Sequence, residues 1–210
     1  TPARFGILVG VCSALYYLHS QEPAIVHGDL KPGNVVLEAT RLTPKVIDFG
    51  LSRRQVPGAD KLGGTLRWMA PEVLADNSGL VACSADMFSF GRLAFFVVTG
   101  RSPLQGLSND ELKNPDRPGV VLDLDWPDSE SEMPLQSVCQ SLCFRCTVRV
   151  PSARPCSDEV LAELGSWSEE LEQLGHPTDQ ACFHQFPKWE LFKSMRPSEA
   201  ASQLPPQLTF

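Results

Sequence analysis

The sequence predicts a mainly α-helical domain that contains one small β-hairpin. Two short apolar runs, at residues 34–37 and 45–47, are the strand candidates. Four segments either space their apolar residues by three and four or are apolar on nearly every side: residues 3–19, 84–99, 135–147 and 158–164. With 210 residues and 42% hydrophobic content, the chain is long enough to bury one sizeable core.

The first predicted helix, at residues 3–19, should be largely buried. Its apolar side chains recur at helical spacing: Phe5, Leu8, Val11, Leu15 and Leu18. Residues 21–23, which end in Pro23, stop the helix because proline cannot continue the backbone hydrogen-bond ladder.

The hairpin places polar motifs at the ends of its strands. The polar stretch 27–34 precedes the first run, and polar residues with Pro44 separate the two runs. The second run leads directly into Asp48, Phe49 and Gly50. We therefore expect the chemistry of this chain on loops that the hairpin holds together.

A surface loop, a core helix and an acidic loop are predicted after the hairpin. Residues 52–64 carry glycines, a proline and charges without periodicity, which indicates a loop that closes at residues 68–72. Residues 84–99 are apolar nearly all round, as expected of a helix at the centre of a core. Residues 109–132 are rich in Asp, Pro and Ser and predict a long acidic loop.

The helical pattern weakens beyond Trp167 into a tail with five prolines. We therefore predict one domain at residues 1–165 and a C-terminal extension at 166–210. Aromatic and apolar residues in the extension could bind a partner, although fraying or packing on the domain is the favoured interpretation: Phe183, Phe186, Trp189, Leu191 and Phe192.

Composition excludes several classes of function. A formal net charge of −7 argues against a general affinity for nucleic acid. Seven irregularly spaced cysteines do not form the framework of a small secreted domain, so we expect a reducing intracellular setting, in the cytoplasm. The most apolar run, residues 7–18, is too short to cross a bilayer, and no membrane segment is predicted.

Three ordered motifs resemble those of eukaryotic protein kinases. His27, Gly28 and Asp29 are followed after four residues by Asn34, which is the spacing of a kinase catalytic loop. The Asp-Phe-Gly motif begins 19 positions after Asp29, and Glu72 ends an Ala-Pro-Glu motif. The resemblance covers residues 3–164 and is strongest to the serine/threonine tyrosine-kinase-like group. It implies the C-terminal lobe of a kinase, with the small hairpin at the catalytic loop and the N-terminal lobe absent.

The resemblance implies a role for each polar residue near the hairpin. Asp29 is the expected catalytic base, and Lys31 would steady the transferring phosphoryl group of ATP. Asn34 and Asp48 would hold Mg²⁺, a hard cation that takes oxygen ligands. Thr65 would hydrogen-bond to Asp29 and Lys31 from the substrate-facing segment. The pair Lys31-Pro32 favours serine and threonine over tyrosine as acceptors in protein substrates.

Other residues are expected to hold the site together. The resemblance implies a buried ion pair between Glu72 and Arg154, and bonds from Asp86 to the backbone of the catalytic loop. His27 and Phe49 would pack against each other. We interpret His27 as a packed histidine rather than an acid or a ligand.

The sequence departs from the family pattern at three points. Gly28 replaces an arginine that receives an activation-loop phosphate in many kinases, and residues 53–64 contain no Ser, Thr or Tyr. We infer a kinase that is not switched by phosphorylation within that stretch. No Gly-rich loop or Val-Ala-Ile-Lys-like strand precedes the matched motifs, so we expect the isolated chain to bind ATP poorly and to be inactive alone.

Alternatives remain open at the level of the sequence. A pseudokinase or scaffold would bind protein partners without catalysis, but it has no chemical need for all four of the polar residues Asp29, Lys31, Asn34 and Asp48. A small-molecule phosphotransferase with a similar lobe is less favoured because the Ala-Pro-Glu segment and Thr65 indicate a protein substrate. Three cysteines could suggest zinc, but they fall within an apolar helix and are better interpreted as buried thiols: Cys139, Cys143 and Cys146.

Overall fold

The structure, a computed structural model, describes residues 2–40, 42–56, 64–75, 82–113, 124–126 and 136–173. The helices are α1 (Pro2–His19), α2 (Pro71–Leu74), α3 (Cys83–Thr99), α4 (Asn109–Leu112), α5 (Gln136–Cys146) and α6 (Ser157–Gln173). The strands are β1 (Ile25–Val26), β2 (Val35–Leu37), β3 (Pro44–Val46) and β4 (Arg53–Arg54). Two single 3₁₀ turns lie at Pro32–Asn34 and Pro151–Ala153.

Helix α3 lies at the centre of the core, as the sequence predicted. Phe88, Phe90 and Phe95 on this helix are fully buried. The helix packs against α5 on one side and against α1 on another, while α1 also packs along α6. The mainly α-helical class and the four long helices are therefore confirmed.

The predicted hairpin is confirmed, with its boundaries shifted by one residue. Strands β2 and β3 pair antiparallel, with Val35 opposite Val46 and Leu37 opposite Pro44. Pro44, which was expected between the strands, is the first residue of β3. This position suits proline because it is the end of an edge strand in a two-stranded sheet.

A second strand pair was not predicted. Strand β1 pairs antiparallel with β4, with Ile25 opposite Arg54 and Val26 opposite Arg53. The loop predicted at 52–64 therefore contains a strand near its start, and residues 57–63 of that prediction lie outside the described residues. Two consecutive arginines carry no period-two apolar signal, which is why the sequence did not reveal this pair.

The predicted acidic loop at 109–132 begins with the short helix α4 instead. The side chain of Ser108 accepts from the backbone N–H of Glu111, whose carboxylate accepts from the N–H of Ser108. This reciprocal capping box satisfies two backbone donors and fixes the first turn. Residues 114–123 and 127–132 of the prediction lie outside the described residues.

Helix α6 continues past the domain boundary predicted at residue 165. Trp167 is buried and its ring lies 6.4 Å from that of Phe5 in α1. The boundary itself stays a prediction, since residues 174–210, with their five aromatic and apolar candidates, lie outside the described residues.

The cysteine and membrane predictions can be compared with the described part of the chain. Cys139, Cys143 and Cys146 are buried thiols on helix α5. Burial raises the pKa of Cys146 to about 12, which keeps it in its neutral form. No helix among the described residues is both long enough and apolar enough to span a membrane.

Candidate active site

Asp29 stands at the centre of a polar cluster between strand β1 and the turn at Pro32–Asn34. Its side chain is only 8% exposed, and both carboxylate oxygens are used. Oδ1 accepts from the backbone N–H of Thr65 at 2.8 Å and from its hydroxyl at 2.9 Å. Oδ2 accepts from Nζ of Lys31 at 2.5 Å. The predicted bond from Thr65 to Asp29 is thus present, and in the predicted bond between Thr65 and Lys31 the lysine is the donor.

The surroundings of Asp29 keep its carboxylate ionised. Burial alone would raise its pKa, but hydrogen bonds from Lys31 and then from Thr65 outweigh burial and lower the pKa below its ordinary value. Lys31 also donates to the Thr65 hydroxyl at 2.8 Å, which closes a three-residue ring. This arrangement provides a fixed acceptor for a proton.

Asn34 and Asp48, the predicted metal ligands, lie at the ends of the two paired strands. The amide nitrogen of Asn34 donates to the backbone oxygen of Asp29 at 2.8 Å, so its amide oxygen is the atom available to a cation. The N–H of Ile47 donates to the backbone oxygen of Asn34 at 2.9 Å, which brings the residue before Asp48 beside it. Asp48 is exposed, has a φ of 66°, and accepts from the N–H of Gly50.

These two oxygen donors suit Mg²⁺, which proteins hold through one or two side-chain oxygens together with substrate phosphates. Within the described part of the chain, no three His, Cys, Asp or Glu side chains form a cluster that could hold a metal by themselves. The side-chain oxygens of Asn34 and Asp48 therefore fit a cation that is also bound to phosphate oxygens of a ligand.

Helix α3 holds the loop that carries Asp29. Asp86, which is buried on this helix, accepts from the backbone N–H of His27 at 2.7 Å and of Gly28 at 2.9 Å. The predicted role of Asp86 is confirmed. His27 donates from Nε2 to the oxygen of Ile47, and its ring meets Phe49 edge-on at 5.2 Å, so packing and alignment are its observed functions.

Asp86 also pairs with His19, which the sequence reasoning missed. Nε2 of His19 lies 3.0 Å from Oδ2 of Asp86, and Nδ1 lies 3.2 Å from the hydroxyl of Ser157. Burial alone would lower the pKa of His19, but hydrogen bonds to Asp86 and Cys83 raise it to about 9. The His19 side chain is therefore positively charged at neutral pH and forms an ion pair with Asp86.

Two glycines allow the segment at residues 65–70 to approach Asp29. Gly28 has a φ of 84° and Gly64 a φ of 134°, values that favour glycine. A Cβ on Gly64 would lie 2.9 Å from the backbone oxygen of Gly28 and 3.4 Å from Oδ1 of Asp29. Gly28, at the position of the arginine in many kinases, thus supplies the positive φ, and Gly64 leaves room for the close approach.

The predicted pair between Glu72 and Arg154 is confirmed. Arg154 is fully buried as a side chain and donates to both Glu72 oxygens, at 2.5 and 2.7 Å. Its other donors reach the backbone oxygens of Ser84 and Val148. This fork anchors helix α2, and with it the end of segment 65–70, to the helical core.

Ser89, Arg92 and Arg67 were also missed. Asp86, Ser89 and Arg92 lie at three-residue intervals and are buried on α3, a helix for which the sequence predicted a polar role only at Asp86. Ser89 donates to the backbone oxygen of Trp68, and Arg92 to that of Arg67. The three-residue spacing of polar side chains was the signal that could have identified them.

Comparison with known proteins finds similarity to protein kinases. The family profile described as "Protein kinase domain" matches residues 3–164. The chain is 31% identical over 175 residues to "Receptor protein-tyrosine kinase CEPR1" of Arabidopsis thaliana, with 77% of this chain and 18% of that protein covered. It is 31% identical over 176 residues to "Receptor-interacting serine/threonine-protein kinase 3" of Homo sapiens, with 76% and 32% covered. The chain therefore spans less than a third of the length of either relative.

Proposed function

The chain belongs to the eukaryotic protein kinase family and is similar to its tyrosine-kinase-like group, and we propose that it forms the C-terminal lobe of an active protein serine/threonine kinase. The observation that carries the proposal is the arrangement of Asp29, whose ionised carboxylate is held between Lys31 and Thr65. A proton acceptor fixed in this way has a use in catalysis, whereas a lobe that only bound partners would have no need of it.

The reaction proposed is transfer of the γ-phosphoryl group of ATP to a Ser or Thr hydroxyl of a protein. Asp29 orients the acceptor hydroxyl and accepts its proton as the new oxygen–phosphorus bond forms and the bond to the leaving ADP breaks. Because Asp29 has a lowered pKa, it is unprotonated and ready to accept at neutral pH. Thr65 and Lys31 keep the carboxylate from rotating.

The remaining polar residues act on phosphate charge. Lys31 places a point charge beside Asp29, where it would steady the transferring group. Mg²⁺ bound with ATP would neutralise the phosphates. Asn34, through its amide oxygen, and Asp48, through its carboxylate, are the residues that would hold the metal.

Several features support serine and threonine as acceptors. Lys31 precedes Pro32, a combination that favours this specificity over tyrosine, and Thr65 lies on a segment that faces a protein substrate. The names of the two relatives differ on this point, since one is called a protein-tyrosine kinase and the other a serine/threonine-protein kinase. Specificity is therefore part of the proposal.

The proposal extends to organisation and regulation. The lobe comprises residues 1–165, and residues 166–210 form an extension whose first part continues helix α6. Gly28 and the lack of hydroxyl residues in 53–64 support a kinase that is not switched by phosphorylation within that stretch.

Reliance on ATP, together with buried free thiols, supports an intracellular, cytoplasmic location for this lobe.

A scaffold that binds protein partners without catalysis is the second candidate. The observation in its favour is Gly28, which replaces the arginine of the catalytic-loop motif. Asp29, Lys31 and Thr65 nevertheless keep a complete network beside it, which favours the enzyme.

The experiment is a phosphate-transfer assay with the full-length protein, ATP labelled at the γ-position and a generic protein substrate. We expect transfer that depends on Mg²⁺ or Mn²⁺ and appears on phosphoserine or phosphothreonine. Asp48→Asn should reduce transfer by about 100-fold or more, as loss of a metal ligand would, while Asp110→Asn on exposed helix α4 should not. Phosphotyrosine alone would overturn the specificity, and no transfer with either metal would favour the scaffold.

A further inference from the structure

A cavity of about 400 Å³ lies between the end of helix α1, the start of α3 and the start of α6. Cavities of this size hold small organic molecules. Much of its wall is apolar, with contributions from Tyr16, Met87 and Pro155, and two cysteines, Cys83 and Cys156, also line it. None of the residues proposed for catalysis is among the described residues around the cavity, so it is a separate site.

Cys83 has surroundings that suit a nucleophilic thiol. It is the first residue of helix α3, which is 17 residues long, and it is partly exposed. Its Sγ lies 3.3 Å from the amide oxygen of Gln55, and it hydrogen-bonds to His19, which is positively charged at neutral pH. In proteins, a helix N-terminus and an adjacent imidazolium stabilise the negative charge of a thiolate, which is the nucleophilic form of cysteine.

The other cysteines among the described residues are not placed to react. Four of them are buried: Cys12, Cys139, Cys143 and Cys146. Cys156 is exposed, but partial desolvation, followed by hydrogen bonds with Asp158 and Glu159, raises its pKa to about 12. At neutral pH its sulfur is therefore held in the unreactive thiol form. Cys83 is the candidate nucleophile of the cavity, and the more exposed Cys156 provides an internal control.

We propose that this cavity binds small apolar electrophiles of the α,β-unsaturated carbonyl class and that Cys83 adds to them covalently. The apolar wall would take the hydrocarbon tail of such a molecule, while its carbon–carbon double bond lies against Sγ. A small polar oxidant such as hydrogen peroxide would gain nothing from that wall. The proposal concerns a site outside the catalytic residues and does not depend on kinase activity.

The addition needs no co-reactant. Sγ of Cys83 forms a bond to the β-carbon of the electrophile, and the S–H bond breaks. The π electrons of the double bond move toward the carbonyl and then take up one proton at the α-carbon, which replaces the proton that the thiol lost. Nothing is oxidised or reduced, and no group leaves.

A chain of contacts leads from the cavity to the loop that follows strand β1. His19, which bonds to Cys83, pairs with Asp86 at 3.0 Å. Asp86 in turn accepts from the backbone N–H groups of His27 and Gly28, at 2.7 and 2.9 Å. An alkylated sulfur has no proton to donate and carries a bulky group beside His19. Modification of Cys83 should therefore weaken this chain and loosen the loop.

The first test labels the full-length protein with trans-2-nonenal and, separately, with acrolein, which has the same reacting group but no tail. Mass spectrometry of peptides measures the rate at which each cysteine is modified. We expect nonenal to label Cys83 at least about tenfold faster than Cys156, and we expect this preference to be smaller with acrolein. Equal labelling of the two cysteines, or the same preference with both probes, would overturn the proposal.

Variants test the part played by the imidazolium. His19→Gln keeps a hydrogen-bonding side chain but removes the charge, so it should slow the labelling of Cys83 about tenfold, while Cys156→Ser should leave it within about twofold. Unchanged labelling in His19→Gln would contradict activation of Cys83 by His19. If His19→Gln does not fold, the comparison of the two probes on the wild type still decides the proposal.

Hydrogen exchange measures the effect on the loop. We expect the nonenal adduct to speed exchange in wild-type peptides that cover residues 26–29. The same treatment should leave exchange there unchanged in Cys83→Ser, whose hydroxyl can hydrogen-bond but does not add to the probe. Unchanged exchange in wild-type protein that is fully modified at Cys83 would overturn the link between the cavity and the loop. These tests do not measure phosphate transfer, so failure of the proposed kinase function would leave their results intact.

Discussion

At the scale of single residues, the site depends on two carboxylates, Asp29 and Asp86, each of which accepts several hydrogen bonds. Asp29 accepts two bonds on Oδ1 from Thr65, and Lys31 bonds to Oδ2. Asp86 likewise accepts two backbone N–H groups and faces His19. Such networks are rigid when complete and costly when one member is lost, so single substitutions should have large and specific effects.

His19 predicts a pH dependence of stability. Its pKa is raised to about 9 in the folded protein, above the value of about 6.5 in an unfolded chain. Because the folded state binds this proton more tightly, the stabilisation is complete below a pH of about 6.5 and is lost as pH rises through about 9. Thermal unfolding of the wild type should therefore show a falling melting temperature over this range.

His19→Gln should remove most of that pH dependence, because glutamine can hydrogen-bond to Asp86 but does not titrate. The measurement is the melting temperature of both proteins at several pH values across the range between the two pKa values of His19. An identical slope in the two proteins would contradict the ion pair between His19 and Asp86.

The sequence alone was enough to predict roles for the residues that belong to a motif. Asp29, Asn34 and Asp48 stand at fixed spacings, and Glu72 with Arg154 was predicted as a pair that the structure confirms. His19, Arg67 and Arg92 were not, because no motif in the sequence assigns a role to them. The apolar pattern of α3 predicts a buried helix, but it does not reveal which of its polar side chains bond to a carbonyl on another segment.

At the scale of elements, helix α3 holds both the loop that carries Asp29 and segment 65–70. Asp86 holds the first, and Ser89 with Arg92 holds the second. The long helices followed from periodicity in the sequence. The pair β1–β4 and helix α4 did not, since two- and four-residue elements depend on pairing partners or on a capping box rather than on a repeated pattern.

Gly64→Ala should move residues 65–70 away from the loop that carries Asp29. The added methyl group would meet the backbone oxygen of Gly28 at 2.9 Å, at a φ of 134° that alanine disfavours. A shift of about 1 Å at Thr65 would lower transfer by about 100-fold, while the strain would cost about 1–3 kcal/mol of stability. Phosphate transfer and melting temperature measure the two effects.

Gly100→Ala is the matched control, because this glycine also has a positive φ, of 73°, but a Cβ there would meet no atom within 4 Å. It should cost stability with little loss of transfer. Equal losses of transfer in the two variants would show that the close approach at Gly64 is unimportant.

Glu72→Ala should destabilise the anchor of helix α2. It would leave the fully buried Arg154 without its carboxylate, and breaking a buried pair on one side costs about 3 kcal/mol or more. Denaturant unfolding should show this loss, and Glu111→Ala, on the exposed capping box of α4, serves as a comparison. A free energy of unfolding unchanged in Glu72→Ala would count against the pair.

At the scale of the whole molecule, one helical core supports one polar site. Helices α1, α3, α5 and α6 bury the apolar surface, and the chemistry lies on loops that leave this core near β1, β2 and β3. Aromatic residues of α1 and α6 close the core on the other side, where Phe5 meets Trp167. The helical core thus positions Asp29, while Asp48 is exposed.

The most direct measurement is the rate of γ-phosphate transfer by the full-length wild type and by Asp29→Asn, at matched folding and saturating ATP. Asparagine at this position would keep the size of the side chain but could not accept the proton, so the rate should fall by about 100- to 10,000-fold. Asp125→Asn, at a side chain that is 92% exposed, should transfer at the wild-type rate. Transfer by Asp29→Asn within a few-fold of wild type would contradict the account.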